Sequence, residues 1–507
     1  MNAHRPWTVP LDHRFSGILL HPTSLPGRGL LGELGPETGE FVRWLAETRQ
    51  QIWQMLPITA AGRGGSPYDS RSAFAGEPAL VSLEPSIAGG SRLSAPAPRG
   101  EEHLLDTVRS RKLRTLRSVW ESFRRKPDPA VVRAREMLRE DPDHRSWLED
   151  WALYSAVKER YGGTPWWRWD RELRRAEPDT LRDARRELSA EIEFHVFVQA
   201  LFQVQWSSLR DRARAVGVRL LGDLPIYVGP DSADVWLRRE LFEVGPDGEM
   251  EARGGVPPDA FAADGQDWGA PLFRWDRHRS DDFAWWRRRL RLALQRFDRV
   301  RIDHFRGLVA YWRIPGDAET ARDGEWVTAP GEELFRSLHR KLGPLRLVAE
   351  NLGVITDEVE ALRHRIGAPG MRVLQFAFDE LDSPHLPHRH RRNEVVFTGT
   401  HDNPPTAAWY RSLDVERRRR LRAYLGKLGK RPHRLLVRAA LTSVANLSVL
   451  PLQDVLGLGA EARMNVPGRA VGNWEWRLSE LPPPRTISRW LRDLTEVTGR
   501  AEGDPEL

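Results

Sequence analysis

Three carboxylates close three short apolar runs: Asp303 in VRID (300–303), Glu350 in LRLVAE (345–350) and Asp402 in VVFTGTHD (395–402). Two carboxyl groups held about 5–5.5 Å apart are the bond-breaking core of a retaining glycosidase, one ionised as nucleophile and one protonated as acid and then base. Arg301 lies two residues before Asp303. On a strand it points to the same face and can keep that aspartate ionised through a charge-assisted hydrogen bond, which suits a nucleophile. Glu350 follows Leu-Val-Ala, surroundings in which desolvation raises a carboxyl pKa towards that of a proton donor. His304 and His401 flank two of the acids and can hydrogen-bond hydroxyl groups. A single strand-end carboxylate is as readily a helix cap or an ion-pair member; several of one kind at successive strand ends favour chemistry. These residues alone describe a barrel enzyme acting on a polar substrate and leave the reaction unnamed.

The elements that position such residues recur eight times. GILLH (17–21), IWQMLP (52–57), VRLLGD (218–223), VRID, LRLVAE, MRVLQF (371–376), VVFTGTHD and LSVLPLQD (447–454) are short apolar runs with polar endings. Helical patterns such as TGEFVRWLAETRQ (38–50) and TDEVEALRHRIG (356–367) follow several of them, the βα alternation of a parallel sheet. Eight units predict an α/β fold, a (β/α)₈ TIM barrel over 1–507, with useful side chains gathered at the C-terminal ends of the strands. Unequal spacing predicts a mainly helical insertion at about 86–215, between strands two and three. A loop-rich insertion at about 226–290, between strands three and four, is expected to cover the active site. Within it, 229–276 is rich in Gly, Pro and Asp and reads as a long ordered loop. SIAGGSRLSAPAPRG (86–100) reads as an exposed connector.

Composition bounds the class. The chain has 507 residues, 40% of them hydrophobic and 29% charged, as in a globular protein with ample core material. No apolar run is long enough to span a bilayer and the first residues lack a signal-peptide pattern. With no cysteine, disulfides and thiolate metal sites are excluded, and the expectation is a cytoplasmic protein without membrane partner, metal or cofactor. The net charge of +7 could suit a nucleic acid, but the arginines are scattered and no recognition motif accompanies them. The densest run, 415–438, reads as an amphipathic helix with a solvated face.

Longer segments carry a resemblance. GILLHPTSLPG (17–27), SPYDSRSAFAGEP (66–78), LLGDLPIYVGPDSADVW (220–236), GGVPPDAFAADGQDWGAPLFRWD (254–276), RVRIDHFRG, LVAENLG, PGMRVLQFAFDE (369–380), GTHDN and ARMNVPGRAVGNWEWR (462–477) resemble, in order, the amylomaltase or disproportionating-enzyme family of 4-α-glucanotransferases. The resemblance implies a retaining double displacement with Asp303 as nucleophile, Glu350 as general acid/base and Asp402 as the aspartate that stabilises the transition state. It implies Arg301, Asp223, His304 and His401 around the reacting sugar. Tyr68, Trp268, Gln266, Phe261 and Asp379 complete the implied substrate contacts, and no metal is required. The implied partners are α-1,4-glucan donors and glucose or maltooligosaccharide acceptors.

The chain departs from its relatives' pattern at Arg63 and Gly65, where the family has tyrosine and aspartate. It departs also at Ala260 beside Phe261, where an aromatic pair is usual, at Ala270 and at Pro404. These changes spare the acids and bear on acceptor subsites and the balance of transfer against hydrolysis. The rival readings are a hydrolase on the same fold, a non-catalytic glucan-binding protein and a nucleic-acid binder. Nothing in the sequence speaks to oligomeric state.

Overall fold

The computed structural model describes residues 6–27, 29–62, 64–83, 103–258, 262–426, 429, 431–469 and 471–502. The connector at 86–100 and residues Arg63, Ala260 and Phe261 lie outside them. Twelve strands are present among the described residues: β1 (Phe15–Leu19), β2 (Ile52–Gln54), β3 (Arg219–Leu224), β4 (Ala252–Val256), β5 (Gln266–Pro271), β6 (Arg299–Ile302), β7 (Ala310–Pro315), β8 (Glu325–Thr328), β9 (Leu347–Ala349), β10 (Gly370–Val373), β11 (Glu394–Phe397) and β12 (Leu447–Pro451). Eight of them close into a parallel barrel in the order β1-β12-β11-β10-β9-β6-β3-β2. Each of the eight apolar runs contributes one strand, so the fold is the expected (β/α)₈ barrel.

Alternation along the strands makes two cores. Phe15, Leu19, Leu221, Val348, Met371, Val373, Val395, Phe397, Leu447 and Val449 fill the barrel interior. Ile18, Leu220, Val300 and Ile302 point the other way into the larger core shared with the helices, as a period of two demands. Each fully buried Leu, Ile or Val contributes about 1.5–3 kcal/mol. The same alternation turns Asp223, Arg301 and the residues just beyond β6 and β9 inward at the mouth. Gly222 lets this happen at β3, since a Cβ there would lie 2.2 Å from the Phe297 ring.

The chain leaves β1 through α1 (Pro36–Glu47). Between β2 and β3 it runs through α2 (Leu104–Arg125), α3 (Pro129–Glu140), α4 (Pro142–Arg160), α5 (Arg171–Arg174), α6 (Pro178–Glu187) and the long α7 (Ser189–Ala215). Trp120 and Phe123 of α2 pack on Phe197 of α7, with centroids 5.0 Å from it. Among the described residues no helix is long and apolar enough to cross a membrane.

Two expectations are corrected. The stretch 229–276 contains the helix Ala233–Leu237 and strands β4 and β5 rather than a loop alone. With β7 and β8 these form an antiparallel sheet in the order β5-β4-β7-β8. The run 415–438 is two helices, Val415–Leu425 and Pro432–Thr442, because Gly426 takes a left-handed φ of 82° and ends the first.

Candidate active site

The central pair is fixed by strand register. Asp223 on β3 lies opposite Arg301 on β6, and the Arg301 Nη1 donates to both Asp223 carboxylate oxygens at 2.7 Å. Its Nη2 reaches Asp303 Oδ1, also at 2.7 Å. One guanidinium thus serves two carboxylates in the fork geometry that only arginine offers. Burial works against the charge on Arg301, but Asp223 and Asp303 together hold its pKa well above the usual arginine range. Burial raises the Asp223 pKa and Arg301 opposes it. The Tyr68 hydroxyl donates to the second Asp223 oxygen at 2.7 Å, and burial beside these carboxylates keeps the phenol protonated far above its ordinary pKa.

The register also sets the two acids side by side. Ile302 on β6 pairs with Ala349 on β9, so Asp303 and Glu350 leave the barrel at the same level. One strand spacing, about 4.8 Å, separates their backbones. The ladder continues past the strand ends: Asp303 N–H donates to Leu224 O and Glu350 N–H to Ile302 O, each at 3.0 Å. Glu350 is 8% exposed, and its carboxylate accepts the backbone N–H groups of His304 and Leu352, both at 2.8 Å. Burial pushes its pKa up to about 7, with Asp303 adding to the rise and Arg301 and the two N–H groups opposing it. The acids therefore differ in charge environment: Asp303 shares a cation, whereas Glu350 is desolvated.

His304 makes this possible through its backbone. It sits at φ 48° in the left-handed region, a conformation that costs a non-glycine residue about 1–3 kcal/mol, and this turn aims its N–H at Glu350. Its imidazole is held neutral, burial lowering the pKa to about 3. Trp268 on β5 stands edge-on to it, with centroids 4.8 Å apart, and is 39% exposed. The Trp268 indole N–H donates to the Gln266 side-chain oxygen at 3.2 Å.

Asp402 is held differently. Its carboxylate is on the loop after β11, where Asn465 Nδ2 donates to it at 2.6 Å and the His401 Nε2 lies 3.3 Å away. Arg463 holds the Asp402 backbone oxygen at 2.6 Å. The His401 ring stacks on Tyr68, with centroids 5.1 Å apart and planes 15° apart, and Trp474 leans on both. Trp474 has a φ of 67°, so a second strained non-glycine residue lies at the mouth.

Asp223, Arg301, Asp303, Glu350, His304, Tyr68, His401 and Asp402 are thus linked by direct contacts or by a shared neighbour, with Trp268 and Gln266 on the rim. Asp379 is placed apart from them: its carboxylate pairs with Arg417 at 3.1 Å, and its backbone oxygen accepts from Arg420 at 2.6 Å. Among the described residues no contact joins it to the acids. Sequence reasoning had missed Asn465, Arg463 and Trp474, although ARMNVPGRAVGNWEWR was recognised as a segment. It had also missed His21, which ends the β1 run and lies buried with its pKa lowered to about 3, chiefly by desolvation. The polar ending of GILLH was the available signal for His21. Among the described residues no group of three or more His, Asp or Glu is arranged to hold a metal ion.

A closed (β/α)₈ barrel with carboxylates gathered at the C-terminal ends of its strands is the architecture of a barrel enzyme working on a polar substrate. The model of a family described as 4-alpha-glucanotransferase matches residues 20–482. A 4-alpha-glucanotransferase of Thermus thermophilus is 45% identical over 500 residues, covering 96% of this chain and 99% of that protein. One from Synechocystis is 42% identical and covers 97% and 99%. The structure of an amylomaltase from Streptococcus agalactiae, solved in complex with acarbose, superposes with a TM-score of 0.91 at 36% identity, covering 96% of this chain and all of that one. The chain belongs to the 4-α-glucanotransferase family. Its activity is that of a hexosyl-transferring enzyme, which moves α-1,4-glucan segments from a donor to an acceptor.

Proposed function

We propose that Asp303 and Glu350 carry the transfer as nucleophile and general acid/base. Asp303 attacks the anomeric carbon of the donor while the bond from that carbon to the glycosidic oxygen breaks and Glu350 gives its proton to the departing oxygen. An acceptor 4-hydroxyl then attacks the same carbon, its proton passes to Glu350, and the bond to Asp303 breaks. Two inversions give net retention. The observation that carries the assignment is the pairing of adjacent strand ends with opposite surroundings: Asp303 keeps a cation at 2.7 Å, and Glu350 is desolvated to a pKa of about 7.

Asp402, presented by Asn465 and His401, grips sugar hydroxyls and stabilises the positive charge of the oxocarbenium-like transition state. Arg301 and Asp223 position Asp303, and Tyr68 with its stacked His401 supports the floor of the reacting subsite. Trp268 and Gln266 on β5 cover the sugar, the role expected of the insertion between the third and fourth barrel strands. Acarbose, the ligand in the S. agalactiae amylomaltase structure, is the compound of choice for probing this pocket. A cytoplasmic setting belongs to the same reading and rests on the cysteine-free sequence.

The test is purified protein with maltotriose alone, following glucose, total reducing ends and longer oligosaccharides. Glucose together with maltopentaose and longer chains, at constant reducing ends, is the expected outcome. Rising reducing ends without longer products would mean that water, not sugar, resolves the intermediate.

A further inference from the structure

Beyond the ends of β6 and β9, Arg306 meets an aromatic surface that the chemistry above does not use. Trp326 on β8 is 41% exposed. It lies opposite Trp312 on β7 in the register, with ring centroids 5.1 Å apart and planes at 67°. The Arg306 guanidinium sits 3.7 Å from the Trp326 ring centroid, and Arg306 also donates to the Val354 backbone oxygen. Trp312 is itself fixed, donating to Ala321 O at 2.8 Å, and Gly324 approaches it so closely that a Cβ would lie 2.3 Å from the indole nitrogen.

Two short stretches of chain tie this surface to the acid/base. Arg306 is two residues beyond His304, whose N–H binds Glu350. Val354, four residues beyond Glu350, is 65% exposed. In a double displacement the acid/base stands at the glycosidic oxygen, so the departing segment and the later acceptor lie on its side of the cleft. Single exposed hydrophobic residues are ordinary on protein surfaces. Trp326 differs in being oriented by a cation and a second indole at the cleft mouth while two fifths of it stays open to solvent. A fixed indole of this kind offers a rigid apolar surface to the C–H face of a glucose ring.

We propose that Trp326, with Val354 across Arg306 from it, forms a remote acceptor-side subsite for the α-1,4-glucan chain, beyond the glucose unit joined in the reaction. The inference rests on the double-displacement reading. Its test uses maltotriosyl fluoride as a fixed donor and compares glucose with maltotetraose as acceptor. Trp326→Ala should lower kcat/KM for maltotetraose by about fivefold, the size of one aromatic contact, while the value for glucose stays unchanged. Trp326→Leu, which keeps apolar bulk without the ring, should flatten the length dependence in the same way, so a folding defect in the alanine variant leaves the test intact. Trp326→Phe should keep most of the preference. Equal losses with both acceptors, or no loss with either, would overturn the subsite. Absence of transfer by the wild type is a separate result, visible before any variant is made, and would overturn the reading that a sugar acceptor resolves the intermediate.

Discussion

The two sides of the cleft are built on different principles. On the β3–β6–β9 side, Asp223, Arg301, Asp303 and Glu350 stand on or just beyond adjacent strands, and register alone sets their neighbours. Burial raises the Glu350 pKa to about 7, and Asp223 and Asp303 keep the buried Arg301 charged. On the β11 side, Asp402 stands on a loop with its side chain 45% exposed, and its partners Asn465 and Arg463 come from a separate loop. The first side is pre-organised for charge, and removing Arg301 would leave two carboxylates, Asp223 and Asp303, without their cation. The second depends on a few part-buried hydrogen bonds between loops, an arrangement that can adjust as sugar enters. Bond making and proton transfer, which need carboxyl groups held without reorganisation, belong on the first side; gripping a ring that changes shape suits the second.

The largest effect expected is on the strand-borne side. Asp303→Asn should lower kcat by on the order of 10⁴-fold, as loss of a nucleophile does, with an unchanged circular dichroism spectrum. Near-full activity in that variant would remove the nucleophile assignment. Arg301→Met leaves Asp223 and Asp303 without their cation, and breaking such a buried pair costs about 3–5 kcal/mol. Chemical denaturation should show that loss, and a stability close to wild type would mean that the pair is not the anchor of this wall.

The pH profile sharpens the comparison. Glu350 must carry a proton to serve as acid, and its pKa is raised to about 7. Activity should be present below that value and fall as pH rises through it, an alkaline limb in kcat/KM. Because Arg301 pulls the Glu350 pKa down, residual activity in Arg301→Met should lose that limb only at higher pH. A flat profile from pH 5 to 9 in the wild type would contradict the assignment. The smallest effect belongs to the loop side. Asn465→Ala should lower kcat/KM by about tenfold, the worth of one hydrogen bond to a charged group, with little change in melting temperature. A large stability loss there would erase the distinction between the two walls.

The strand-borne side was also the more legible one. Each barrel strand is a compact apolar run with a polar ending; Asp402, read in the same way, lies on the loop beyond β11, whereas period and strand-end chemistry pointed directly to Asp303 and Glu350, the residues just after β6 and β9. Their spacing from Arg301 and Asp223 follows from register, which alternation largely dictates. The small sheet was not legible, because β5 has one buried residue and β8 none and β4 contains two glycines, leaving little apolar pattern to read. Asn465 and Trp474 lie in a loop without periodicity, and their roles arise from contacts with Asp402, Tyr68 and His401 that no local rule encodes. Asp379, drawn from a matching segment, stands apart from the acids and pairs with Arg417 on the neighbouring helix, a placement that no strand-end rule foretells.

The account turns on which side chain bonds to sugar. Maltotriosyl fluoride loses fluoride without needing a proton donor, whereas release of the glycosyl group needs Glu350 as base. The Glu350→Gln variant should therefore accumulate a covalent adduct, and mass spectrometry of its proteolytic digest measures where that adduct sits. The account predicts a maltotriosyl mass increment on the peptide that contains Asp303. An increment on another carboxylate, or none while the variant still consumes the fluoride, would contradict it.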